Sequence, residues 1–316
     1  MNKKHDSDVG PSILVSIGGG EDAFLGLRYA ARIQDHGCAN IDLLYVRPLD
    51  QGMRSGGLEV RVARENILDW GLDLPGLRQL KKGRDILVEL GELSRDAPVT
   101  LRHASTSGDP LGDYTLEYTT ECGSRISLCL RASENLLAAI LAECRRRNYD
   151  LVIVGVSGAP RGPFKRLLEG MPLSERIARE ACRSVLVARH LEGGYSHLVC
   201  TDGSSHAQAA VAQAARLSSH CRCPITIIAV APTQADLDLA RSWAEEAGRI
   251  VLEQSAVLAD KVVLHGDPAE EIVREGRNHS VIMIAEPSRK GLRRRFGSEI
   301  CYTVLRKAET SVMIIR

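Results

Sequence analysis

The chain has few aromatic residues, no excess of charge of one sign and no long apolar run. Phe, Trp and Tyr make up 4% of its 316 residues, and 41 Lys and Arg balance 40 Asp and Glu, for a formal net charge of +1. Such a chain has no global attraction to nucleic acid or to an anionic membrane, so binding of that kind would need a local patch. No apolar run approaches the roughly 18 residues of a membrane-spanning helix, and the opening residues MNKKHDSDVGPS lack the apolar core of a secretory signal. We therefore expect a cytoplasmic protein.

The cysteines do not form the framework of a small disulfide-rich protein. There are nine of them, an odd number, and they are scattered along a long chain. This distribution favours reduced, mostly buried thiols. Cys221 and Cys223, beside His220, are a candidate corner of a metal site, but no second pair of ligands with zinc-like spacing accompanies them. The sequence therefore predicts no metal site.

Short β-branched runs alternate with amphipathic segments along the whole chain. The runs ILVSI, IDLLYV, DLVIVGVSG and SVLVAR are mostly apolar, and helical patterns separate them. Continuous apolar strands between helices indicate a parallel sheet that is buried on both faces. The length is suitable for about two domains. We expect an α/β protein with doubly wound, Rossmann-like parallel sheets.

The second half repeats the order of the first. HLVCT leads into a helix, ITIIAVAP and VIMIAEPS read as strands, and the segment ends on SVMIIR, which matches the earlier SVLVAR. A repeat on this scale indicates tandem copies of one unit. Gly193 and Gly194 mark the linker, so the predicted domains are residues 1–192 and 193–316.

The first copy carries additional residues between about 49 and 131. Part of this insertion reads as helix, interrupted at Pro75, and GDYTLEYTTECGSRISLCLRA reads as a β-hairpin that turns at Cys-Gly-Ser. One strand of the hairpin is expected to join the main sheet. The insertion is either a lid or partner surface, or a decorated sheet edge, and we favour the edge.

The candidate ligand-binding loops follow the strands, because ligands of open parallel sheets bind beyond the carboxyl ends of the strands. Glycines in these loops let backbone N–H groups approach an anion at a helix N-terminus. A carboxylate at such a strand end can accept hydrogen bonds from a base or a ribose. Glycine-rich turns of this kind also occur without any ligand. The loops are Gly18-Gly19-Gly20, Asp202-Gly203-Ser204, Gly155 to Gly158 and Ala285 to Ser288.

The order of these segments resembles the universal stress protein family in its tandem form. The resemblance is carried by ILVSIGGGED and LVCTDGSSHAQAA at the domain starts, by DLVIVGVSG and HGDPAEEIV, and by the closing segments EGMPLSERIAREACRSVLVAR and RKGLRRRFGSEICYTVLRKAETSVMIIR. It covers the whole chain apart from the insertion. In ATP-binding members an aspartate at the first strand end meets the nucleoside, and a loop of the form G-x2-G-x9-G-[S/T] cradles the phosphates and ribose.

The first half departs from this family pattern at two points. Gly155 and Gly158 match the first two glycines, but Gly170 comes later than in the pattern and precedes Met171 instead of Ser or Thr. The aspartate position is taken by Gly18. The resemblance therefore implies a weakened nucleotide site in this half.

The second half departs in the opposite way. Asp202 is retained, Gly203 follows it, and Gly297-Ser298 closes the loop, whereas Ala285 and Ser288 replace two glycines and the spacer is shorter. Val230, in the strand ITIIAVAP, is assigned to the same site. A basic run could hold phosphates by charge-assisted bonds, or it could be a solvated helix face or a partner-binding patch. We expect ATP, with Mg²⁺, to bind here in preference to the first half. The basic run consists of Arg289, Lys290, Arg293, Arg294 and Arg295.

The resemblance implies a regulatory protein of the stress response that binds an adenine nucleotide and acts through its conformation or a protein partner. No constellation of catalytic residues converges on one loop, so an enzyme is not expected, beyond slow ATP hydrolysis. SVLVAR and SVMIIR would pair within the chain as a pseudo-dimer, and a homodimer of chains is a further expectation. One alternative is a nucleotide-free interaction module with vestigial sites. The other, an adenylating enzyme, is disfavoured because the chain lacks an SGGxDS segment.

Overall fold

In a computed structural model of the chain, residues 10–18, 21–49, 75–106, 109–156, 171–189, 196–286 and 297–316 are described. The chain forms two compact units, Met1–Ile153 and Val154–Arg316. The elements are β1 (Ser12–Ser16), α1 (Glu21–Gly37), β2 (Asn40–Arg47), α2 (Pro75–Glu89), β3 (Val99–Thr106), β4 (Asp109–Thr119), β5 (Arg125–Ala132), α3 (Leu136–Arg146), β6 (Leu151–Gly155), α4 (Leu173–Glu180), β7 (Ser184–Ala188), β8 (His197–Thr201), α5 (Ser205–Cys221), β9 (Ile225–Ala231), α6 (Leu237–Glu253), β10 (Leu258–His265), α7 (Pro268–Gly276), β11 (Val281–Ala285), α8 (Gly297–Lys307) and β12 (Ser311–Ile315).

The first unit is a mixed sheet with strand order β6-β1-β2-β5-β4-β3, in which β6 lies at the division between the units. β1, β2 and β5 run parallel, whereas β4 is antiparallel to both β5 and β3. The predicted hairpin is confirmed as β4 and β5, and β5 joins the main sheet beside β2 as expected. β3, which sequence reasoning missed, extends the sheet edge beyond the hairpin.

Helix α2 makes the crossover between β2 and β5. It begins at Pro75, the residue at which the sequence predicted an interruption. Proline is favourable at the first helical position, because its missing N–H would have no partner there and its φ is already helical. Ideal Cβ atoms on Gly76 and Gly83 would lie 2.6 Å from Leu130 Cδ1 and 2.5 Å from Leu43 Cδ2, respectively. The two glycines therefore let α2 lie close to the sheet.

The second unit is a sheet with strand order β10-β9-β8-β11-β12-β7. All neighbouring strands are parallel except β12 and β7, which are antiparallel. From β7 the chain passes to β8, extends to one side through β9 and β10, and then returns to the other side of β8 through β11 and β12. The strand order therefore reverses between β8 and β11, and this pair is the switch point of the sheet.

The predicted pairing of SVLVAR with SVMIIR is confirmed. Val312 pairs with Val187, Met313 with Leu186 and Ile314 with Val185, and every residue of β7 and β12 is buried. This pairing explains why β7 groups with the second compact unit although it precedes residue 193. The boundary between residues 192 and 193, which separates the two copies of the sequence repeat, stays a prediction. The compact units of the structure are divided between residues 153 and 154.

The strands around the switch point form a layer that is buried on both faces. Every position of β8 and of β9 is buried, as expected for parallel strands covered by helices on both sides. The α/β prediction is confirmed. In the described part of the chain, no helix combines the length and the apolar character that crossing a bilayer requires.

The turn between β4 and β5 holds an activated cysteine. The Cys122 sulfur lies 3.3 Å from Thr120 Oγ1 and 3.4 Å from Ser124 Oγ. Burial raises the pKa of the Cys122 thiol, but hydrogen bonds to Cys38, to both hydroxyl groups and to the Ser124 backbone outweigh it and lower the pKa to about 6. In contrast, burial raises the pKa of Cys129 and of Cys301 to about 12.

We expect Cys122 to be alkylated first by iodoacetamide at neutral pH, because the thiolate is the reacting form. Peptide mass spectrometry after timed quenching, repeated over a range of pH, gives the rate and the apparent pKa of each thiol. Cys182, an exposed free cysteine in the other unit, is the internal comparison. Ser124→Ala should move the midpoint of Cys122 upward. An apparent pKa of about 8.5 for Cys122 in the wild type, the value of an ordinary thiol, would contradict the hydrogen-bonding account.

Candidate functional site

The candidate site of the second unit lies at the switch point, where β8 and β11 end side by side. β8 ends at Thr201 and leads into Asp202, whereas β11 ends at Ala285 and leads into Glu286. β9 ends on the other side of β8, and Val230 is its penultimate residue. The carboxyl ends of adjacent parallel strands meet at one edge of the sheet, so these residues share that edge.

The turn from β8 into α5 requires glycine. Gly203 has φ +71°, a left-handed conformation that other residues adopt at a cost. A Cβ atom at this position would overlap the indole ring of Trp243, which projects from α6. The Gly203 N–H donates to Thr201 Oγ1 at 3.2 Å, and Ser204 Oγ caps α5 by accepting from the Ala207 N–H at 3.1 Å. The turn is therefore fixed at both ends.

Asp202 presents an exposed carboxylate that its neighbour holds in place. Its Oδ1 accepts hydrogen bonds from the Ser204 N–H at 3.0 Å and from the Ser204 hydroxyl at 2.6 Å. Oδ2 has no hydrogen-bond partner among the residues that the structure describes. The carboxylate is thus oriented through one oxygen and offers the other to a hydrogen-bond donor from solution.

His206, in the first turn of α5, connects the two sides of the switch point. Its Nε2 forms a short hydrogen bond with the backbone carbonyl of Glu286, just past the end of β11. Sequence reasoning gave His206 no role, because nothing in its local pattern shows that the chain returns beside it at residue 286.

The carboxylate of Glu286 forms an ion pair with Arg316. Its Oε2 accepts from Arg316 Nε at 2.8 Å, and its Oε1 accepts from Arg316 Nη2 at 3.1 Å and from the Tyr302 hydroxyl at 3.4 Å. The two charged side chains are only 17% and 10% exposed. Burial raises the pKa of Tyr302, and the neighbouring Cys301 and Glu286 add to the effect. Tyr302 therefore stays protonated and donates its hydrogen bond.

Four of the residues that the sequence assigned to the second-half site are brought to one edge of the sheet. They are Asp202, Gly203, Val230 and Ala285, at the ends of β8, β9 and β11. Gly297 is the first residue of α8. Ser288, the basic run 289–295 and the side chain of Ser298 lie outside the described residues, so their part in the site stays a prediction.

Two glycines of the first-half candidate site are described. Gly155 is the last residue of β6, and Gly18 follows β1 with no atom of the described residues within 4 Å of the place a Cβ would occupy. Packing against the described part of the chain therefore does not explain the glycine at position 18. Gly158 and Gly170 lie outside the described residues.

Comparison with known proteins shows a family similarity in the second half of the chain. No curated protein sequence matches the chain. The model of the universal stress protein family matches residues 195–316, a range that includes β8 to β12. The matched segment makes up less than half of the chain. Asp202 and the switch point both lie inside it.

Two solved structures share the fold of the whole chain. A functionally unknown protein from Pseudomonas aeruginosa PAO1 is 18% identical, with a TM-score of 0.60 over 98% of this chain and 93% of its own. A universal stress protein from Archaeoglobus fulgidus is 17% identical, with a TM-score of 0.56 over 96% of this chain and 98% of its own. The likeness in fold spans both halves of the chain, which is consistent with a tandem arrangement.

Proposed function

We propose that the second unit binds an adenine nucleotide at the ends of β8, β9 and β11, and that the protein is a regulator of the universal stress type. One observation carries the proposal. The Asp202 carboxylate stands at the switch point of the segment that matches the universal stress protein family, oriented by Ser204 and open at Oδ2. ATP with Mg²⁺ is the proposed ligand, and the stress response is the proposed setting.

The chemistry of the site is that of nucleoside recognition. An adenine amino group and the ribose hydroxyls are hydrogen-bond donors, and an oriented carboxylate is a strong acceptor for them. Trp243, half-buried against Gly203, adds an aromatic surface beside the turn. The phosphates would then extend toward the loop that follows Ala285, which the sequence predicts to be basic.

Because its carboxylate is already paired within the protein, Glu286 favours nucleotide binding over nucleotide hydrolysis. Phosphoryl transfer to water needs a residue that positions the water and a metal ion held near the phosphates. Glu286, the carboxylate after β11, is instead occupied by Arg316 and Tyr302. We therefore propose that the nucleotide acts as a signal that changes the conformation of the domain or its affinity for a protein partner.

The test is isothermal titration calorimetry with ATP and Mg²⁺, preceded by chromatography of the nucleotides released when fresh protein is denatured. Asp202→Asn keeps an oxygen that can accept from Ser204 and replaces the open oxygen with an NH₂ group. We expect binding about tenfold weaker or more, because a hydrogen bond to a charged group is lost and two donors face each other.

Asp238→Asn is the matched control, because Asp238 is an exposed aspartate in the first turn of a helix of the same unit, paired with Arg241. It should bind ATP as the wild type does. A wild-type protein that carries no nucleotide and gives no heat with ATP would overturn the proposal. Equal affinities of wild type and Asp202→Asn would remove Asp202 from the site.

A nucleotide-free interaction module is the second candidate. It is favoured by Ala285, which ends β11 where the family pattern has a glycine, and by Ser288 in the same loop. The replacement of two glycines could be the only reason that such a protein fails to bind ATP. In that case the double change Ala285→Gly and Ser288→Gly should give measurable ATP binding to a protein that otherwise shows none. No gain would favour the interaction module.

A further inference from the structure

Three ligand-type side chains meet inside the second unit at the amino ends of its strands, away from the nucleotide edge. His197 is the first residue of β8, Cys221 is the last residue of α5, and Cys223 lies just before β9. All three are 0% exposed. A ring nitrogen of His197 and the two sulfur atoms lie within 4.8 Å of one another.

The backbone between the two cysteines explains why both are present in the cluster. Arg222 ends α5 in the left-handed conformation, with φ +50°. The Cys223 N–H donates back to the Ser218 carbonyl at 3.1 Å, which reverses the chain immediately after the helix. The His197 N–H donates to the Pro224 carbonyl at 2.9 Å and so aligns the start of β8 with the same turn.

The hydrogen bonds of Ser218 fix the tautomer of His197. The Ser218 hydroxyl donates to the Ala214 carbonyl at 2.8 Å, since a carbonyl can only accept. Its oxygen lies 2.6 Å from His197 Nδ1, so Nδ1 carries the proton and donates to it. The lone pair of the ring is therefore on Nε2. In metal sites a histidine usually has this arrangement, with one ring nitrogen donating to a protein oxygen and the other bound to the metal.

Cys221 and Cys223 form a disulfide in the structure, and in that form the sulfurs are not thiolate ligands. Reduction by a dithiol adds two electrons and two protons, breaks the S–S bond and leaves two thiols. A divalent cation that binds both sulfurs then displaces the two protons. Two thiolates, one neutral imidazole and one dication have no net charge, which matters because an unbalanced charge is costly at a fully buried site.

We propose that His197, Cys221 and Cys223 bind Zn²⁺ in the reduced protein. Thiolate and imidazole are the ligands that Zn²⁺ prefers, and three protein ligands leave the fourth tetrahedral position to another donor. The same two sulfurs form the disulfide or bind the metal, so occupancy depends on the thiol redox state. Sequence reasoning had placed His220 at this corner, whereas the strand register places His197 there.

The test uses the full-length chain, fully reduced under argon and freed of reductant. Zn²⁺ is titrated against a chromophoric chelator, and bound metal is measured by plasma mass spectrometry. We expect a reduced-state site that the chain loses when Cys221 and Cys223 are reoxidised. Co²⁺ as a probe should give sulfur-to-metal absorption and the visible bands of a tetrahedral centre.

The variants separate this cluster from the other thiols of the chain. Cys221→Ser with Cys223→Ser should abolish the site, and Cys182→Ser, at an exposed thiol of the same unit, should leave it unchanged. Ser218→Ala should weaken Zn²⁺ binding by about 10–100-fold, as expected when the hydrogen-bond partner of a metal-binding histidine is lost. Retention of the site by the double variant would overturn the proposal.

Circular dichroism checks that the variants fold. If the double variant does not fold, the Co²⁺ spectrum of the reduced wild type decides the question. A spectrum without sulfur-to-metal absorption would overturn the proposal, and absorption that disappears when the thiols are reoxidised would support it.

Discussion

Gly203→Ala is expected to destabilise the second unit by about 2–5 kcal/mol, the sum of two separate costs. A residue with a Cβ atom loses about 1–2 kcal/mol in the left-handed conformation that φ +71° imposes. The same Cβ overlaps the Trp243 indole ring, and overpacking of this kind costs about 1–3 kcal/mol. The measurement is urea unfolding followed by Trp243 emission in a Trp70→Phe background, since these are the two tryptophans of the chain.

Gly91→Ala is the control that isolates the backbone cost. Gly91 has φ +81°, and nothing lies within 4 Å of the place its Cβ would occupy. Its substitution should lower the free energy of unfolding only by the cost of the left-handed conformation, about 1–2 kcal/mol. The measurement is unfolding of the first unit, followed by far-ultraviolet circular dichroism. Trp243→Leu should recover part of the Gly203→Ala loss, measured by far-ultraviolet circular dichroism because this change removes the fluorescent reporter. Equal losses for Gly203→Ala and Gly91→Ala would show that the indole ring moves aside without cost.

The sequence predicted correctly those elements whose burial produces an apolar pattern in the sequence. β8 and β9 are buried at every position, so each is a continuous apolar run. β3 was missed for the opposite reason. All but two of its eight residues are exposed, and hydrogen bonds to β4 alone make it a strand. Exposed edge strands of this kind have no apolar alternation for sequence reasoning to detect.

Only some residues of the candidate site could be predicted from the sequence. Asp202 and Gly203 could be predicted because they follow directly from β8, and ligands of open parallel sheets bind after the strands. His206, Trp243 and Arg316 could not. Each makes a contact with a residue that is distant in the chain, since His206 and Arg316 bind Glu286 and Trp243 lies against Gly203.

The largest electrostatic effect is expected for Arg316→Ala. The guanidinium donates to both carboxylate oxygens of Glu286, to the Arg183 carbonyl at 2.8 Å and to the Ala178 carbonyl. Its loss leaves the Glu286 carboxylate, 17% exposed in the wild type, with the Tyr302 hydroxyl as its one remaining side-chain partner among the described residues. Breaking a buried ion pair from one side costs about 3–5 kcal/mol, so we expect about 3 kcal/mol in urea unfolding of the second unit.

The comparison with Glu286→Gln tests whether the unpaired charge is the cause. The double variant Arg316→Ala/Glu286→Gln should be more stable than Arg316→Ala alone, because it removes the carboxylate that the single change leaves without its cation. Arg249→Ala is the surface control. Its ion pair with Glu246 is exposed, so its removal should leave the unfolding midpoint unchanged. A double variant no more stable than Arg316→Ala would assign the loss to the two backbone carbonyls instead. In that case Arg316 would stabilise the fold mainly as a cap of α4 and the following loop, through its hydrogen bonds to the Ala178 and Arg183 carbonyls.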